Sequence, residues 1–181
     1  ISQGNYLAIS SNEAVLFPYI GEYYCVFFST DSDELRPING KLTISFNRES
    51  LCQGDLTILN HKGETIKTYS GPVAVNTHYR TWHCILVGQE KQEICTMIST
   101  HFNCTIHKNL FNVALVLTTS SGTQKRPTEH RMLISRNKMI GENLRLVLAQ
   151  LRLNNDMVCL SEDSIKRIKK DDKKYKQAYI T

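Results

Sequence analysis

The chain lacks the sequence signatures by which most enzymes announce themselves. Its nine glycines are scattered singly, so no glycine-rich loop is present to cradle a phosphate. No nucleophile elbow or protease signature surrounds any serine, cysteine or histidine. The chain is accordingly read as a non-enzyme. No apolar run approaches the roughly 20 residues that a transmembrane helix needs, and no basic-then-apolar leader is visible. The chain begins at Ile1, which is read as an excised domain or a processed product. It also lacks a Cys-x2-Cys pair, the usual mark of a structural zinc site.

Charge is only mildly biased: 22 basic against 17 acidic side chains give +5 over 181 residues. By itself this is weak grounds for a polyanionic partner. The 41% hydrophobic fraction is enough for a core of ordinary size.

What is present is alternation. Residues 109–136 contain the longest apolar run and read as a hairpin. Phe111, Val113, Leu115 and Leu117 fall on one face, and Asn112, Ala114, Val116 and Thr118 on the other. Both faces are largely apolar, which predicts a strand covered on both sides. Thr119 to Thr123 supply turn chemistry, and the return strand over 129–136 places Met132 and Ile134 opposite Arg131 and Leu133. Shorter alternating runs cover 22–29, 41–46, 55–60, 65–69, 79–87 and 92–99, with Ser70-Gly71-Pro72 expected to end the fourth of them. Gly21-Glu22-Tyr23-Tyr24-Cys25 resembles, over five residues, the Gly-x-Tyr-x-Cys stretch of immunoglobulin-type domains. No Cys and Trp precede it at that fold's spacing, so it argues for β structure alone.

After Arg136 the period changes. Ile140, Leu144, Val147, Leu148 and Leu151 recur at three and four, predicting a helix over 138–153. Ser161, with Glu162 and Asp163 behind it, reads as the N-cap of a second helix whose body is basic. Between residues 162 and 176 seven basic and four acidic side chains leave a local net of +3. The fold expected is mainly β: an antiparallel β-sandwich, immunoglobulin-like or similar, of about eight or nine strands, closed by one or two C-terminal α-helices. The division expected is 1–136 for the sandwich and 137–181 for a helical appendage.

The densest Cys/His group supplies a candidate zinc site of Cys84, Cys95, His101 and Cys104. Against it, Cys84 and Cys95 fall inside expected strands, where core thiols belong. The acidic loop with Asp31, Asp33 and Glu34 lacks the EF-hand spacing and reads as solvated rather than calcium-binding. Otherwise no cofactor is expected. The leading functional expectation is an interaction module that binds a protein partner through sandwich loops or a sheet edge. The second is a nucleic-acid-binding immunoglobulin-like sandwich, with Lys125, Arg126, Arg131, Lys166, Arg167, Lys169, Lys170, Lys173 and Lys174 on phosphates. The third is a secreted or viral surface domain with three disulfides among the six cysteines and a glycan on Asn103. An intracellular location is slightly favoured over a secreted one, and the sequence leaves the oligomeric state open.

Overall fold

The computed structural model describes residues 13–29, 36–76, 78–89, 93–100, 111–119, 127–138 and 140–152. Eight strands follow one another: β1 (Gly21–Phe28), β2 (Pro37–Phe46), β3 (Cys52–Leu59), β4 (Thr65–Asn76), β5 (Thr81–Gly88), β6 (Ile94–Thr100), β7 (Phe111–Thr119) and β8 (Pro127–Ser135). Each pairs antiparallel with the next. β8 then returns to β1, with Cys25 opposite Ile134 and Phe27 opposite Met132. The sheet is a closed, up-and-down barrel.

Closure corrects the expected sandwich. Period-two alternation is the same in a sandwich and in a barrel, because both bury one face of every strand. The β1–β8 ladder decides between them, and it lies far apart in sequence. Closure also removes every free sheet edge. The bend that closure needs is visible in β4, which runs straight through Ser70-Gly71-Pro72 instead of stopping there. A Cβ on Gly71 would lie 2.1 Å from the carbonyl oxygen of Ile85, so only glycine lets β4 and β5 approach this closely. The ladder skips here, from Ser70 opposite Val87 to Val73 opposite Cys84, and Pro72, which has no donor to give, sits in the gap.

Side chains alternate inward and outward around the barrel. Trp82, Leu42, Ile44, Leu86, Met97 and Ile134 are fully buried in its interior. The lower end carries the 47–51 turn and is plugged by a short helix α1 (Glu13–Leu16) and a 3₁₀ turn, Phe17–Tyr19. Leu16 and Tyr19 point into the core. A polar latch holds this plug. Tyr23 donates its hydroxyl hydrogen to the Tyr19 carbonyl at 2.5 Å. Arg136 donates to the Pro18 carbonyl at 2.6 Å and to the Tyr23 hydroxyl at 3.0 Å. The upper end carries the 60–64 turn. There Asn60 accepts from the backbone N–H groups of Lys62 and Glu64, both at 2.9 Å, and Gly63 takes φ +82°.

Helix α2 (Gly141–Arg152) lies within the stretch of three-and-four periodicity. It does not cap a sandwich: Leu148 and Leu151 bury against Val26 and Leu133 on the outer wall of β1 and β8. The basic helix expected from Ser161 lies outside the described residues. The outer face of β5, β6 and β7, by contrast, leaves Ile85, Val87, Ile94, Ile98, Leu115 and Leu117 exposed. The aliphatic face of β7 thus points largely outward, while Asn112, Ala114 and Val116 fill the interior.

Candidate ligand-binding lumen

Below its middle the barrel is filled by side chains. Above it, among the upper-end side chains, a cavity of about 100 Å³ remains. Its walls are apolar: Phe27 from β1, Ile38 from β2, Leu56 and Ile58 from β3, Val116 from β7 and Met132 from β8. Interior positions of a strand recur every second residue, so each of these is fixed by the register that also buries the core beneath it. An eight-stranded barrel is just wide enough to be filled by side chains or to hold one small molecule. Here it does the first below and leaves room for the second above.

A few polar groups converge on this apolar space. Lys67 and Tyr69 of β4 line it, and both are bound to Glu93: the ammonium lies 2.8 Å and the phenol 3.0 Å from the same carboxylate oxygen. Thr118 is also hydrogen-bonded to the Tyr69 oxygen. Burial, and then the hydrogen bond to the Glu93 carboxylate, raises the Tyr69 pKa. Lys67 and Tyr69 also line a second cavity of about 120 Å³, together with Gly88, Gln89 and Glu93.

His130 of β8 is the other polar group. Its ring lies 4.9 Å from the Phe27 ring, tilted by 30°. Both ring nitrogens are sealed from solvent and have no hydrogen-bond partner among the described residues. Burial penalises the imidazolium and pushes the pKa down to about 4. A neutral imidazole thus stands in the lumen with one donor and one acceptor unused.

No protein-family model and no curated protein matches the chain. One solved structure is similar: that of the siderocalin Ex-FABP, described as functioning through dual ligand specificities. It is 15% identical, the alignment covers 80% of this chain and 95% of that one, and the TM-score is 0.35.

The sequence-derived sites fare unevenly. Cys84 and Cys95 are both buried in the interior with Cys25 and Cys52, and all four are free thiols. Burial raises Cys25 and Cys95 to about 12 and Cys52 to about 11, and raises Cys84 as well. Among the described residues no three Cys, His, Asp or Glu side chains are grouped to hold a metal. His101 and Cys104 lie outside the described residues. The four free thiols also correct the three-disulfide reading, because two cysteines remain, enough for one bridge.

Lys125, Arg126, Lys166, Arg167, Lys169, Lys170, Lys173 and Lys174 lie outside the described residues too. Arg131 is described: it lies on the outward side of β8, opposite Leu115. Its neighbourhood is the aliphatic outer face, not a basic track. With the closed barrel in place of the immunoglobulin-like sandwich, the architectural comparison behind the DNA-binding reading is gone. His130 and the Lys67–Glu93–Tyr69 group escaped sequence reasoning. The clue available was parity, since His130 shares its side of β8 with Met132 and Ile134.

Proposed function

We propose that this chain is a non-catalytic binding barrel that holds one small, mainly apolar molecule in the upper half of its lumen. The observation that carries the reading is the apolar cavity above a packed core, with an unsatisfied imidazole in its wall. Pockets built to bind are mostly apolar with a small number of placed polar groups. At about 100 Å³ the space is smaller than the roughly 300–1,000 Å³ of drug-sized sites, which points to a small or slender ligand.

Catalysis is a poor alternative on chemical grounds. Cys95 and His130 line the same cavity, but burial raises the thiol and lowers the imidazole. Both shifts work against the thiolate–imidazolium pair that an activated cysteine needs. Among the described residues closure leaves no free sheet edge for a protein partner. The 30–35, 101–110 and 120–126 connections lie outside the described residues.

The test is a calorimetric titration with 1-octanol, a slender neutral apolar molecule. Saturable binding at one site is expected. Ile38→Trp, which fills the cavity from a partly buried position, should weaken it at least about tenfold. Octanol binding that is absent, or that Ile38→Trp leaves unchanged, overturns the reading.

A further inference from the structure

Resting on that binding reading, we propose that the ligand carries a carboxylic acid head, and that His130 receives it and takes up a proton as it docks. Buried polar groups are almost always hydrogen-bonded, yet both His130 ring nitrogens lack a partner among the described residues and neither touches solvent. His130 is among the residues that line the lumen cavity.

The remaining groups narrow the choice of head. Among the described residues, the other charged or titratable side chains sharing this space are Lys67 and Tyr69 of β4 and Cys95 of β6, with Glu93 bound to the first two. β1, β2, β3 and β7 present apolar side chains and threonines. A cationic head would need Glu93, which already accepts from both Lys67 and Tyr69, and it would meet the Lys67 ammonium. An alcohol satisfies the imidazole but gains no charge. A carboxylate gains a charge-assisted hydrogen bond once the ring is protonated. It also finds the Lys67 ammonium lining the same space. In the step itself, solvent supplies a proton to a His130 nitrogen and the ligand carboxylate accepts a hydrogen bond from it; no covalent bond forms.

The experiment is calorimetric titration of the full chain with octanoate and with 1-octanol at pH 6.5, in two buffers of different ionisation enthalpy. Octanoate is expected to bind about tenfold more tightly than octanol and to take up a proton, approaching one per ligand. His130→Gln, whose amide can still bond a hydroxyl, should erase octanoate's tenfold advantage over octanol and abolish the uptake. On the unmutated protein, the ¹⁵N shifts of His130 should change from imidazole to imidazolium when octanoate is added. Octanol binding without tighter octanoate binding, or uptake that survives His130→Gln, or a ring that stays neutral, overturns the acid-head proposal alone. Failure of both ligands to bind overturns the lumen reading beneath it.

Discussion

The imidazole of His130 rests 4.9 Å from the ring of Phe27, inside an apolar wall and with neither nitrogen hydrogen-bonded among the described residues. Burial there holds the ring neutral down to about pH 4. The unfolded chain's histidine protonates near its ordinary 6.5, so between about 4 and 6.5 the unfolded state binds the extra proton. Stability is therefore complete above 6.5, falls as pH falls through that window and levels off below about 4. The loss is on the order of 3 kcal/mol. Urea denaturation of the unliganded protein from pH 7 to pH 4 should show this loss, and His130→Phe should flatten it.

How much of this was legible in the sequence varied by element. Parity placed Met132 and Ile134 on one face of their strand, and that face is the interior. Parity carries no information about how many strands lie between β1 and β8, so it could not separate a barrel from a sandwich. Hydrophobic content misled in β7, where Leu115 and Leu117 are 39% and 48% exposed and the inner face is Asn112, Ala114 and Val116. A small interior residue fits a narrow lumen; the larger outer ones need no such fit. Pro72 was misleading as well, because a proline can occupy a strand where the ladder is interrupted.

The lower latch makes a second prediction. Tyr23 both donates to the Tyr19 carbonyl and accepts from Arg136, whose guanidinium lies 5.2 Å from the tyrosine ring centre. Tyr23→Phe keeps the ring and removes both bonds. It should cost about 1–3 kcal/mol, seen as a melting point lower by several degrees, with ligand affinity unchanged because the lumen lies at the other end.

Gly71 and Gly63 make a paired test of closure. Gly71→Ala would drive a methyl to 2.1 Å from the Ile85 carbonyl oxygen, a contact with backbone that cannot rotate away. A loss of about 3 kcal/mol or more is expected. Gly63 has φ +82° and nothing within 4 Å, so Gly63→Ala should cost only about 1–2 kcal/mol of backbone strain. Urea midpoints of the two variants should differ in that order.

The interior thiols give a fourth. Cys25, Cys52, Cys84 and Cys95 are buried and their thiols are held protonated by burial. Alkylation by iodoacetamide at pH 8, mapped by mass spectrometry, should leave these four unmodified in the folded protein and label them fully in denaturant. Rapid labelling of Cys84 or Cys95 in the folded state would contradict their placement.

The most direct measurement is a methyl NMR titration with 1-octanol, because the barrel's apolar interior and apolar outer wall compete for such a ligand. Binding in the lumen should shift the methyl signals of Ile38, Ile58, Val116 and Met132, and saturate at one equivalent. Shifts confined to Ile85, Ile94, Leu115 and Leu117 on the outer face, or no saturable shift at all, would contradict it.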